Sequence, residues 1–432
     1  MAAGHSVDVG RWQREFDELM GRIASRFGRV EPRRRVRSMV RGLLAGLPRT
    51  NCWTLAEHAG EASPYATQHL LSRAVWDHDG VREDLRGYVV EHLGDPRAVL
   101  VVDETGDLKK GVHTVGVQRQ YTGTAGRIEN AQVGVLLTYA TDRGHAFIDR
   151  ALYLPRSWTD DQQRCAAAGV PAGTPFATKP HLAARMIAAA VDAGIPAGWV
   201  AADEVYGNDP ALRSMLEGRG VGYVLAVARD HRVRTHAGTR RAVDMPMTLP
   251  ASVWHTHSAG KGSKGHRWYA WALIHIDETD LPGQHRLLIR HNLRTGELAF
   301  YRCWSPIQVS LAAFVRVAGM RWRIEENIQA GKGLAALDEH QVRTWTSWHR
   351  WTVLAMLAHA FLAVTAAAEH ARHRVTHELI PLTCNEIRHL FTNLTNRGGH
   401  SITHLLHWSR WRRQHQARAR ASHYRRREAA PP

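Results

Sequence analysis

At 432 residues the chain exceeds one ordinary compact core and has room for two or three domains. Its 44% hydrophobic and 22% charged residues exclude a disordered chain. A formal charge of +17 points to a polyanionic partner, with nucleic acid ahead of the two alternatives, an acidic membrane surface and a merely solvated basic face. Cys52, Cys165, Cys303 and Cys384 lie far apart with no C-x-x-C pair, which argues against a zinc knuckle or a disulfide framework. Met1 to Glu15 lacks the apolar core of a signal peptide, so a reduced cytoplasmic protein is expected.

In chain order, residues 1–95 read as a helical DNA-binding domain with a basic cluster at Arg33, Arg34, Arg35, Arg37 and Arg41. Within it, Thr54 to Gly60 followed by Ser63 to Arg73 reads as helix, tight turn and a helix capped by Ser63 with Pro64 first, a pattern that resembles a helix-turn-helix. At Ala98 the character changes: Ala98 to Asp103 is the kind of β-branched run that forms a buried central strand. Further strands are expected over Val112 to Tyr121, Asn130 to Thr141 and His145 to Leu154. A helix follows over Thr178 to Ala193, then another apolar strand from Trp199 to Asp203. Strands, helix, then strand describe a mixed α/β core, assigned to 96–220 and 306–370. Residues 221–305 read as a β-rich insertion, with strand-like runs over His266 to Ile276, Arg286 to Leu293 and Glu297 to Trp304.

After Pro306 the chain turns helical through Ala368. Thr352 to Ala368 is barely long enough to span a bilayer and is interrupted by His359, so it is expected as a buried helix, with no membrane partner. Residues 371–432 form a helical and basic tail. There Trp408 and Trp411 alternate with arginines including Arg412 and Arg413, which fits binding to a DNA backbone better than a solubilising role alone.

Phosphodiester cleavage at neutral pH needs a strong nucleophile and stabilisation of a leaving oxygen, which two divalent ions supply when carboxylates converge around them. Asp103 and Asp203 each end an apolar strand, in the related contexts Val-Val-Asp-Glu and Ala-Ala-Asp-Glu. If those strands pair in parallel, both acids emerge at one sheet edge. The bland alternative is that each is a turn or cap residue. A third acid should come from a helix packed across that edge. Leu311, Val315, Ala318 and Trp322 form an apolar stripe, and Glu325 lies within about 40° of its continuation at 100° per residue. Glu326 lies about as far to the other side, and both could belong to an exposed charged flank.

Arg321, three residues, Glu325, six residues, Lys332 resembles the Arg-x3-Glu-x6-Lys signature around the catalytic Glu of bacterial insertion-sequence transposases. Ala318 stands where that family has a tyrosine. The segments ending at Gly106, Gly207 and Lys332, with Leu337 to Arg343, look like the corresponding blocks of the insertion sequence 701 group, and the likeness runs from about Ala98 to Ala368. The resemblance implies an RNase H-like core, a β-rich insertion between the second Asp and the Glu, and a triad of Asp103, Asp203 and Glu325 binding two Mg²⁺ or Mn²⁺ ions. It also implies that Arg321 and Lys332 hold DNA phosphates. The activity implied is cleavage of transposon ends and joining of 3′-hydroxyls to target DNA, with double-stranded DNA as partner and a homodimer on paired ends. Two other readings stay open: a regulatory DNA-binding protein keeping this fold, and a nuclease that cuts without joining. Gly260 to Gly265 lacks phosphate-loop spacing and reads as a flexible basic loop, and His255 and His257 receive no role.

Overall fold

The computed structural model describes residues 7–236, 238–262, 265–277, 282–372 and 381–395, with scattered positions between 401 and 425. Arg420, Arg426 and Arg427 of the basic tail, and Ser263 and Lys264 of the Gly-Lys loop, lie outside the described residues.

The chain opens with five helices: α1 (Val9–Arg22), α2 (Val30–Leu44), α3 (Cys52–His58), α4 (Tyr65–Ser72) and α5 (His78–Leu93). The turn after α3 is built by Gly60 at φ +77°, with Gly60 N donating to Glu57 O and Glu61 N to Ala56 O. These two bonds satisfy the last carbonyls of α3 in a left-handed cap that favours glycine. Pro64, not Ser63, caps α4, and the first helical residue is Tyr65.

Four strands follow, β1 (Val99–Leu108), β2 (Gln118–Thr122), β3 (Arg127–Ala140) and β4 (His145–Leu152). The strand expected over Val112 to Tyr121 is shorter than its sequence pattern. Gly116, at φ +75°, bends the chain, and Val115 and Val117 bury themselves in a side cluster with Trp158. Short helices α6 (Arg156–Thr159) and α7 (Gln162–Ala167) lead to α8 (Lys179–Asp192), β5 (Trp199–Ala202), α9 (Glu204–Gly207), α10 (Pro210–Gly218) and β6 (Gly222–Val227). A small hairpin, β7 (Arg232–Thr235) and β8 (Gly238–Arg241), precedes β9 (His255–Gly262), β10 (Gly265–His275), β11 (Gln284–His291) and β12 (Leu298–Ser305). The chain finishes with α11 (Leu311–Met320), α12 (Trp322–Ala335), α13 (Trp345–Arg372) and α14 (Cys384–Thr395).

Among the described residues ten strands form one mixed sheet in the order β2-β3-β1-β5-β6-β12-β11-β10-β9, with β4 also on β3. Only β1–β5 and β5–β6 are parallel, and the strands of 255–305 continue the same sheet through an antiparallel β6–β12 pairing. Alternation along the strands sends Leu100, Val102, Val200 and Ala202 to one core, shared with α8 and α13. Val99, Val101, Ala201 and Val224 face a second core that holds Phe314, Val315 and Val317 of α11. The far strands contribute Trp271, Leu288 and Ala259 to this second core, so the sheet curls until β9 covers α11 from behind. A Cβ on Gly319 would stand 2.3 Å from Ala259 O, which shows how closely α11 approaches β9.

The single helix expected from Leu311 is broken at Arg321, and Trp322 is 45% exposed instead of continuing the apolar stripe. Ile324, fully buried, takes over that burial. α13 is long and apolar enough to cross a membrane by length and composition, yet 94% of its apolar window is buried inside the molecule.

Gly319→Ala should destabilise the fold by about 2 kcal/mol or more, because the new methyl meets backbone and not a side chain that can rotate away. Urea unfolding read by tryptophan fluorescence measures it; an unchanged midpoint would refute the close α11–β9 seating.

Candidate active site

β1 and β5 pair in register Val99↔Trp199, Leu100↔Val200, Val101↔Ala201 and Val102↔Ala202. One step further the same register sets Asp103 beside Asp203, on neighbouring strands roughly 4.8 Å apart. The two acids reach this point differently. β5 stops at Ala202 because Asp203 caps α9, its Oδ1 accepting from Val205 N at 2.9 Å. β1 instead runs on to Leu108, because β3 keeps pairing with it antiparallel from Asp103↔Leu136 to Leu108↔Ala131. Asp103 is therefore a mid-strand residue at the end of the parallel pairing and not a strand terminus. Parity with Val101 aims it at the α11 side of the sheet.

α11 ends there, and the break at Arg321 brings a guanidinium and Glu325 over the acidic pair. Arg321 Nη2 donates to Glu325 Oε1 at 2.6 Å. Burial disfavours its charge, but Glu325 and Asp103 more than offset that and keep the guanidinium firmly protonated. Burial first, then the neighbouring charges of Asp203 and Glu104, push the Asp103 carboxyl up to about 7, against a small lowering by Glu104 N and Arg321. Asp203 is likewise raised, chiefly by burial and then by Glu104. The structure thus gathers Asp103, Asp203 and Arg321 at the end of the parallel pairing, and ties Glu325 to Arg321. Glu326 points elsewhere, at 3.5 Å from His145 Nε2 and 2.8 Å from Arg323 Nη1.

Lys332 lies two turns along α12, where Nζ stands 3.7 Å from both Asp107 and Asp338. Asp107 shares the Asp103 face of β1 and also meets His340 Nε2 at 3.1 Å. Glu104 faces the other way, its carboxylate taken by Lys179 Nζ and Tyr206 Oη, each at 2.6 Å. Sequence reading passed over Glu104 and Asp107; counting parity along β1 from Asp103 would have separated them from each other. The remaining basic residues singled out lie elsewhere. Arg33 Nε donates to Phe27 O at 2.9 Å, Arg34 is exposed, and Arg35 stands 3.9 Å from Glu61, all on the first turns of α2. Arg412 is paired with Glu57 and Arg413 is exposed. Trp408 is fully buried with Nε1 on Glu61 O, and Trp411 packs edge-on against Trp53, so these two rings serve internal packing and not DNA stacking.

Hard divalent cations favour oxygen donors of this kind. The raised carboxyls of Asp103 and Asp203 are what an acidic pair looks like without enough positive charge, and they fit such an ion. Among the described residues no three His, Cys, Asp or Glu side chains stand together closely enough to hold a metal.

Neighbouring carboxylates at the end of a parallel strand pair suit cation-dependent phosphodiester chemistry. The family described as DDE superfamily endonuclease matches residues 22–248, just over half of the sequence, and the chain belongs to that family. The match spans Asp103 and Asp203 and ends before α12. The chain is also 29% identical over 194 residues to a probable transposase for insertion sequence element IS701 from Microchaete diplosiphon, covering 44% of this chain and 48% of that one. It therefore spans about half the length of that relative. A piggyBac transposase solved as a synaptic complex with hairpin DNA aligns over 90% of this chain and 80% of its own, at 10% identity and a TM-score of 0.42.

Unfolded, Asp103 loses its proton near 3.8; folded, it holds the proton to about 7. Between those values the folded state binds more protons, so stability falls as pH rises through the window. In EDTA, Asp103→Asn should therefore be more stable than wild type at pH 8, by on the order of 2–4 kcal/mol, and match it near pH 4. Denaturant titrations at the two pH values check this, and a variant less stable at pH 8 would contradict the acidic repulsion.

Proposed function

We propose that the chain is a DNA transposase that cleaves transposon ends and joins the 3′-hydroxyls to target DNA by two-metal-ion phosphoryl transfer. The observation that carries this reading is the β1–β5 register, which sets Asp103 beside Asp203 on the face crossed by Arg321 and Glu325. The strand order β4-β3-β1-β5-β6, with β3 antiparallel and helices on both faces, supports an RNase H-like core built from 96–220 and 306–370. In this reading 221–305 is the β-rich insertion, 1–95 the helical DNA-binding domain and 371–432 the basic tail. The setting is the bacterial cytoplasm, at the nucleoid.

Asp103, Asp203 and Glu325 would hold Mg²⁺ or Mn²⁺, which supplies an activated water or 3′-hydroxyl and stabilises the leaving oxygen. The chain's own residues do the rest. Asp103, whose carboxyl is raised first by burial and then by Asp203 and Glu104, would bind such an ion as the carboxylate. Glu325 turns from Arg321 toward the two aspartates, and the released guanidinium becomes a bidentate donor to the phosphate being cut. Lys332, on the same helix, holds a neighbouring phosphate. Both ends of an element must be cut and joined together, so the working unit is a homodimer on paired DNA ends.

Asp103→Ala, Asp203→Ala and Glu325→Ala should each lower Mg²⁺- or Mn²⁺-dependent cleavage of a plasmid carrying the element's ends by about 10³-fold or more, with end binding within a few fold of wild type. Cleavage near the wild-type rate by any of the three would remove that residue from the chemistry. Pre-cut ends supplied with a target plasmid separate joining from cutting, and absence of joined product from wild type would leave a nuclease only.

A further inference from the structure

Beyond the acidic edge, the extension of β1 past Asp103 delivers the chain into an open cleft of about 680 Å³ between the loop after β1, the loop before α3 and the α12–α13 connection. Arg49, Lys110, His113 and Arg343 line it, all four exposed. None of these four side chains has a hydrogen-bond or ion-pair partner among the described residues. The acids of the same cleft are engaged inward: Asp338 with Lys332 at 3.7 Å, and Glu339 with Thr50 N. Lys109 is also turned inward, Nζ to His340 O at 3.1 Å. The sorting of charge is therefore one-sided, with acids satisfied by the protein and cations left facing solvent. A second cleft of about 320 Å³ shares Gln341 and Arg343 with the first and reaches Gln68 and Ser72 on α4.

We infer that this cleft is a phosphate track for one duplex DNA, joining α4 to the acidic edge. The inference rests on the transposase reading above and adds residues and a path to it. Clustered unpaired cations suit a polyanion's backbone and supply affinity without reading bases. Its spacing also fits a duplex. The mouth of the cleft at Leu108 lies five residues along β1 from Asp103, about 17 Å at 3.3 Å per strand residue, or about five base pairs of a duplex at 3.4 Å each. Gln68 and Ser72, at the far end, are the polar α4 positions that meet the same duplex.

The test uses the full chain carrying Asp103→Asn, so that no DNA is cut, with a 30-base-pair mixed-sequence DNA duplex as probe. Binding is measured by fluorescence anisotropy from about 50 to 300 mM salt. Adding Arg49→Ala, Lys110→Ala and Arg343→Ala together should weaken binding at 150 mM salt by tenfold or more. It should also lower the slope of log affinity against log salt by about 0.9 per contact, hence by 2 to 3. Circular dichroism and the unfolding midpoint should stay at the parent values, since all three side chains are exposed and unpaired. An unchanged slope would overturn the track, as would an equal loss per residue from Arg240→Ala on the distant β7–β8 hairpin, which would mean diffuse attraction. Equal or tighter binding to a duplex RNA of the same sequence would also overturn it. Failure of the two readings is distinguishable: binding through the track by a wild-type protein that never cuts sinks only the transposase reading, and cutting with an unchanged slope sinks only the track.

Discussion

Four residue pairs hold the functional edge in place. The parallel contact between Val99–Val102 and Trp199–Ala202 is short, yet it alone decides that Asp103 and Asp203 lie side by side. Such a brief pairing needs outside support, and both faces provide it. Leu100, Val102, Val200 and Ala202 are buried in one core, and Val99, Val101 and Ala201 in the other. A slip of one residue would exchange these sets and carry Asp103 to the wrong side of the sheet, so burial on two faces fixes the register more firmly than the hydrogen bonds could. The firmness is needed because the edge works against the fold: like charges are gathered where water is scarce, and Asp103 answers by keeping its proton to about 7.

Positive charge is distributed in two ways around this edge. Arg321 and Lys332 are engaged, the first by Glu325 and the second by Asp107 and Asp338. Arg49, Lys110, His113 and Arg343 are not. An engaged cation has a defined position and must exchange partners before it can meet a phosphate, whereas an exposed unpaired cation can meet one directly, releasing a counterion condensed on the nucleic acid. On the proposed reading, the arrangement would give weak discrimination at a distance from the acids and strong geometric demands beside them. Because Arg321 sits at the break between α11 and α12, its place depends on α11, which is clasped between the central strands and β9. The strands of 255–305 thereby act on the site from behind, without contributing an acid to it.

Strands with a β-branched core, such as Val99 to Val102, were legible because burial on both faces writes a continuous apolar run into the sequence. Asp203 was legible as a residue that stops a strand, since its capping bond is local. The continuation of β1 to Leu108 was not, because its polar second half is held only by β3, a partner some 30 residues away whose register no local pattern encodes. The break at Arg321 escaped for a related reason: Trp322 has the hydrophobicity of a core residue, and only the curled sheet behind α11 turns it outward. Trp408 and Trp411 misled in the opposite sense. Aromatic residues among arginines suit a nucleic-acid surface, yet these rings found Glu61 and Trp53 at the far end of the chain. Composition describes what a segment can bind and is silent on whether the fold has already bound it.

That last contact bears on how the amino-terminal helices relate to the acids. They are not a loosely tethered module. Arg82 and Arg86 of α5 both meet the buried carboxylate of Asp149 on β4 at 2.9 Å, and Arg150 reaches back to Asp79 at 3.3 Å. α13 runs buried through the same junction, with Arg350 donating to Leu70 O, Leu71 O and Trp76 O around the end of α4. Buried charges of this kind tolerate little displacement, because separating them leaves an unpaired ion in an apolar setting. α4 is thus held at a fixed offset from Asp103. On the proposed reading, the spacing of these two rigid features of one body would set the place of cutting.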